Sequence, residues 1–159
     1  MMNSSAQIAK NLREVYFGEN WTSVNFKDTL SRVNWHQATT KIDSLNTIAT
    51  LVYHTNYYVD AITQVLNGHA LNAHDKYSFD HTPILSSVDW ENMLNKTWTN
   101  LEILAGLIEE LPEDILWDIF SDKKYGIYYR NLQGLIEHAH YHLGQIVLIK
   151  KLIIQAEKQ

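Results

Sequence analysis

The sequence has no cysteine. That absence removes disulfides, thiolate metal sites and cysteine nucleophiles at once. Proline occurs only at Pro83 and Pro112, and both fall between apolar-periodic segments rather than inside them. No apolar run approaches the ~20 residues of a membrane span. The opening stretch, MMNSSAQIAKNLREVYFGENW, has no apolar segment of signal-peptide type. Charge is modest, with 13 Lys+Arg against 18 Asp+Glu and no basic stripe. Nothing in that balance attracts a phosphate backbone. These absences predict a cytoplasmic protein with neither a membrane nor a nucleic-acid partner.

What is present is apolar and aromatic. Hydrophobic residues make up 45% of the 159 positions, enough to bury a real core at this length. Helical periodicity dominates. Ile8, Leu12, Val15 and Tyr16 predict a first helix over about 4–17, with Gly18 as its stop. Asn25 is placed to cap a short helix carrying Phe26, Leu30 and Val33. A long helix over about 44–66 is apolar almost all round, which predicts a central position, and Asn67-Gly68 ends it. The polar segment HALNAHDKYSFDHTPILSS (about 69–86) exceeds the usual connection length and is a candidate lid or crossover. A third long helix begins near Ser87 and runs to Ile108, ahead of Pro112. EDILWDIFSDKKYGIYYRN reads as a short helix with a turn or hairpin at Lys123–Gly126, and a last helix spans about 128–155. No repeat, low-complexity tract or boundary divides residues 1–159. The expectation is one all-α domain, a four-helix bundle with long crossover connections.

The eight histidines exceed what this length needs. Three of them crowd into HAHYH at 138–142. At about 100° per residue, His142 projects within the apolar face of the last helix and His138 sits at its edge, while His140 points elsewhere. His138 and His142 form an i, i+4 pair with room for a shared metal ion. Gln145 falls on the same edge, beside His138. A histidine on an apolar face also serves as a satisfied core residue, and spacing alone leaves both readings open. A third inward histidine is His54, in the stripe Thr47, Leu51, His54, Tyr58, Ala61 and Val65 of the most apolar helix. Burying its ring requires a partner, either a metal or a hydrogen bond to a tyrosine or carbonyl. His36, His69, His74 and His81 fall in connecting segments and read as exposed.

LVYHTNYYVDAI, followed far downstream by HAHYHLGQI, resembles the DinB-like superfamily, also called YfiT-like metal-dependent bundle proteins. GENWTSVNFKDTL is similar to a G-x-N-W stretch and short helix found in many members. The likeness extends over essentially the whole chain. It implies a four-helix bundle with a divalent ion, commonly nickel or zinc, held by His54, His138 and His142. It also implies a homodimer. Relatives of this kind transfer low-molecular-weight thiols to electrophiles or are called metal-dependent hydrolases.

Three imidazoles around a divalent ion leave a coordination position open, which acidifies either bound water or a bound thiol. Since the chain has no cysteine, a thiol would have to come from a small molecule. The sequence thus predicts a small-molecule hydrolase or thiol S-transferase, with a non-catalytic metal-binding or structural dimeric bundle as the alternative. It places no general base. Asp60, Asp75, Asp80 and Glu137 are the available carboxylates, Glu137 reading as outward and solvated. Tyr58 is positioned either to line the pocket or to pack in the core. Gln145 is positioned to brace His138. Trp21 reads as a cover for the cleft or an anchor for the N-terminal segment.

Overall fold

The computed structural model describes residues 3–158. Among the described residues six α-helices form: α1 (Ser4–Phe17), α2 (Phe26–Leu30), α3 (Trp35–Thr39), α4 (Ile48–Leu66), α5 (Ser87–Glu110) and α6 (Tyr128–Ala156). Short 3-10 turns occupy Asp75–Tyr77, Glu113–Trp117 and Lys123–Tyr125. Among the described residues no strand is present, and the one β-like feature is an isolated antiparallel bridge between Ile119 and Ile127. That bridge, with Gly126 at φ 77°, closes the predicted turn after Lys123.

Local chemistry explains where the helices begin. Side chains of Asn3, Asn25, Asn34, Thr47 and Ser86 accept from backbone N–H groups in the first turns of α1 to α5. Each satisfies a donor that the helix itself leaves orphaned. This chemistry also moves one expected boundary. The second long helix starts at Ile48 rather than near residue 44, because the Thr47 hydroxyl takes the Thr50 N–H. Ser86 caps α5, which begins at Ser87 as expected, and Asp89 reciprocates by accepting from the Leu85 N–H and the Ser86 hydroxyl. The helix α3, held by an Asn34–Gln37 capping box, was not expected.

The four long helices supply most of the core. α1 and α4 each pack against both α5 and α6. Ile8, Leu12, Leu51, Val52, Leu101, Leu104, Ile108, Leu132 and Ile146 are essentially inaccessible and belong to one continuous apolar cluster. At about 25 cal/mol per Å² of apolar surface removed from water, such side chains contribute roughly 1.5–3 kcal/mol each. The short elements are pinned to this frame. Phe26 of α2 stacks on Tyr16 at 4.5 Å between ring centroids, and the Lys150 ammonium of α6 donates to the Thr29 carbonyl at 2.6 Å. The Trp90 indole N–H donates to the Val33 carbonyl at 2.8 Å. No described helix is long and apolar enough to cross a membrane. α4 and α6 run against one another through the middle of the molecule, and their facing stripes carry the three histidines.

Candidate metal centre

His54 sits midway along α4 and is 4% exposed; His142, on α6, is 7% exposed. His138 precedes His142 by one turn and is half-buried. Helix packing brings the rings to centroid distances of 4.9 Å (His54–His138), 4.6 Å (His54–His142) and 4.4 Å (His138–His142). The Nε2 atom of His138 lies 3.0 Å from Nε2 of His54 and 2.9 Å from Nε2 of His142. Ligand-capable nitrogens of all three fall within 4.8 Å of one another. His140 is elsewhere, lining shallow hollows with Val24 and Gly144 on one side and Trp21 and Asn20 on the other.

Hydrogen bonds to the far ring nitrogens determine which atoms face inward. The Ser78 hydroxyl donates to the Asp75 carbonyl at 2.7 Å, so its oxygen accepts from His54 Nδ1–H at 2.9 Å. The Gln145 amide oxygen accepts from His142 Nδ1–H at 2.7 Å. A neutral imidazole has one N–H. Both His54 and His142 therefore spend it outward and turn a bare Nε2 lone pair toward His138. A proton on His138 Nε2 can serve only one of them. At least two lone pairs thus converge with a single proton at most between them, which is a repulsive arrangement that a shared cation relieves. Three nitrogens at 2.0–2.1 Å from a tetrahedral ion stand about 3.3 Å apart, a few tenths of an ångström beyond the spacing seen here. The residues fit a divalent ion.

The same tautomer assignment corrects one expectation. Gln145 braces His142, not His138, and its amide nitrogen approaches the Tyr141 hydroxyl at 3.4 Å. Both histidines lie within reach of a side chain at 145, and spacing on a helix does not choose between i−3 and i−7.

Burial, reinforced by His142, pushes the His54 pKa down from 6.5 to about 4. Burial and the proximity of His142 and His54 push His138 down to about 4 as well. Burial also lowers His142, partly offset by the bond to Gln145. Neutral imidazoles are the form that binds metal.

A cavity of about 540 Å³ opens beside the cluster between α4 and α6. His54, Tyr58, Ile62, Asp75, Arg130 and His138 are in its wall, with Asn131, Gly134, Leu135 and Glu137. Tyr58 lines it, as one of the two sequence readings held, and its hydroxyl donates to Asp75 Oδ1 at 3.0 Å. Burial and the neighbouring Asp75 raise the pKa of that hydroxyl, so it stays a donor at neutral pH. Glu137 is exposed but stands at the cavity wall. Asp80 is exposed and Asp60 lines a separate hollow with Tyr57 and His69. Trp21 is fully exposed, neither covering the cleft nor anchoring its segment. His36 packs on Trp35, and His81 faces Thr50 at 3.2 Å.

Sequence reasoning missed Ser78, Phe79 and Arg130. Phe79 stacks on His54 at 4.0 Å and 14°, shielding one face of the ring. Ser78 and Phe79 lie in the long 67–86 connection, whose length was the available signal that it does more than connect. Arg130 follows the turn of Gly126 and reaches the cavity only through the start of α6. No protein-family model, curated protein or solved structure matches the chain.

Folded protein keeps His54 and His138 neutral down to about pH 4, whereas an unfolded chain protonates them from about pH 6.5. As pH falls through this window the unfolded state gains protons that the folded state refuses, so stability drops, levelling below about pH 4. In the presence of EDTA, the urea midpoint should be lower at pH 5 than at pH 7. A His54→Gln, His138→Gln double variant should lose most of that difference; a midpoint independent of pH in the wild type contradicts the assignment.

Proposed function

We propose that the protein is a divalent-metal-dependent enzyme whose small-molecule substrate occupies the cavity between α4 and α6, with hydrolysis as the reaction. One observation carries this reading: Nε2 atoms of His54, His138 and His142 converge, and two of the three residues, His54 and His138, line an open cavity of about 540 Å³. A structural ion is usually sealed by its ligands, whereas a catalytic one keeps a position for water or substrate. The four long helices are read as a four-helix bundle of the DinB-like or YfiT-like type, supported by the HTNYYVD and HAHYHLGQI resemblance. Nickel and zinc are the ions that suit three imidazoles.

When bound, the ion supplies a Lewis acid that brings water toward neutral pKa. The chain's residues do the rest. Ser78 and Gln145 fix His54 and His142 with Nε2 inward. Asp75 lines the cavity beside these histidines, steered by the Tyr58 hydroxyl at 3.0 Å, and is placed to take the proton of an attacking water. Phe79 keeps water off one face of His54. Ile62 and Leu135 give the substrate an apolar wall. A second reading, thiol transfer, is favoured by the size of the cavity, which has room for a small thiol beside an electrophile. A homodimer belongs to the same proposal, with exposed Tyr141, Leu148 and Leu152 along one stripe of α6 as the face that a second copy covers.

Metal analysis by plasma mass spectrometry on untagged protein should find about one divalent ion per chain, lost in His142→Ala. Metal-free wild type, even after incubation with zinc and nickel, sinks the proposal. With metal bound, Asp75→Asn should lower hydrolysis of activated esters or amides by roughly 10²-fold or more at unchanged metal content. Thiol transfer without any hydrolysis in the wild type would select the second reading, and no turnover of either kind would leave a non-catalytic metal protein. Light scattering should report twice the 18.5 kDa chain mass.

A further inference from the structure

The cavity wall has a chemical polarity along α6. His138 stands at one end and Arg130 at the other, eight residues apart and so about 12 Å along the helix axis. Arg130 is the single cation among the cavity-lining residues. No described carboxylate lies within ion-pair distance of it, since the ion pairs present join Lys10 to Glu14 and Arg13 to Glu102 and Glu109. One guanidinium nitrogen, Nη1, donates to the Tyr125 carbonyl at 3.1 Å. That contact tethers the side chain and leaves its other donors unassigned. Asn131, its neighbour, is otherwise engaged, its amide N–H groups donating to the Tyr125 and Ile127 carbonyls at 3.0 and 2.8 Å.

Between the two ends the wall is apolar and hollow. Gly134 lies midway, with Leu135 and Ile62 beside it. A Cβ built on Gly134 meets nothing within 4 Å. Glycine inside a helix costs about 1 kcal/mol relative to alanine, and no crowding requires it here. Its effect is to leave a trough where a side chain would stand.

We propose that the cavity takes an elongated substrate carrying a carboxylate, held by Arg130, with an apolar stretch over Gly134 and the reacting group at the histidine end. Which end reacts rests on the metal-enzyme reading above. A tethered guanidinium offers a carboxylate two parallel donors and loses little freedom on binding it. The acidic residues of the wall, Asp75 and Glu137, share the histidine end, where a divalent cation offsets them. An anion at the far end therefore meets the favourable charge, and a cation there does not.

The probes are 6-mercaptohexanoate and 6-mercapto-1-hexanol, titrated by calorimetry into metal-free and zinc-treated protein. Wild type should bind the carboxylate at least about tenfold tighter than the alcohol. Arg130→Gln should bring the ratio near one, and Arg130→Lys should retain part of it, with zinc content and thermal midpoint unchanged. Gly134→Leu should weaken both probes more than about tenfold while the fold remains intact by circular dichroism. Equal affinities in wild type, a ratio that survives Arg130→Gln, or no binding of either probe overturns the proposal. Protein that takes up no zinc yet prefers the carboxylate through Arg130 overturns the metal reading and leaves the anion anchor standing.

Discussion

Two inward-facing lone pairs in one buried place are the constraint around which this molecule is arranged. His54 and His142 cannot turn their protons inward, because Ser78 and Gln145 hold them outward. His138 then faces both Nε2 atoms at about hydrogen-bond distance and can satisfy one. Protonating the cluster would relieve the repulsion, but burial and the mutual proximity of the rings oppose it. What is left is a demand for a cation with several coordination sites. The demand follows from hydrogen-bond bookkeeping around the ring edges, which is why the outer partners matter as much as the rings.

Helix packing creates that demand, and the apolar periodicity accounts for most of the packing. The stripe through Leu51, His54, Tyr58 and Val65 faces α6, and Leu135, Ala139, His142 and Ile146 face back. A histidine placed on such a stripe has nowhere to go but inward. For this reason the three cluster residues, and the exclusion of His140, were legible from 3.6-residue spacing and from the likeness of HAHYHLGQI to a known motif.

The rest of the site was not legible, and the reasons are physical. Asp75 opens a 3-10 turn and Ser78 follows it, inside a connection with no periodicity, where contacts depend on how the chain folds back. Arg130 reads in sequence like any charged residue near a helix start; its meaning lies in the absence of a described carboxylate partner, which depends on the fold. Gln145 was placed on the correct edge but assigned to the wrong ring, since a flexible amide reaches more than one neighbour. Trp21 was overread: a tryptophan after Gly18 and Asn20 looked like a cover, yet the Asn20 side chain stabilises that turn by bonding the Glu14 and Val24 carbonyls and leaves the indole in water.

The 67–86 connection meets the cluster from outside the helices. Phe79 stacks on His54, Ser78 fixes its tautomer and Asp75 takes the Tyr58 hydroxyl. Each contact is made to a side chain of α4, two of them to His54 itself. Ordering a long polar connection has a large entropy cost; here Ser78 and Phe79 meet His54, while Leu71 and Ile84 pack on the apolar core. Whatever holds His54 in place therefore helps to order the Ser78–Phe79 stretch, and Ser78 in turn holds the ring with Nε2 inward. By thermodynamic reciprocity the two orderings favour one another. The cavity is bounded on one side by helix α6, with its trough at Gly134, and on the other by α4 and by Asp75 of this connection.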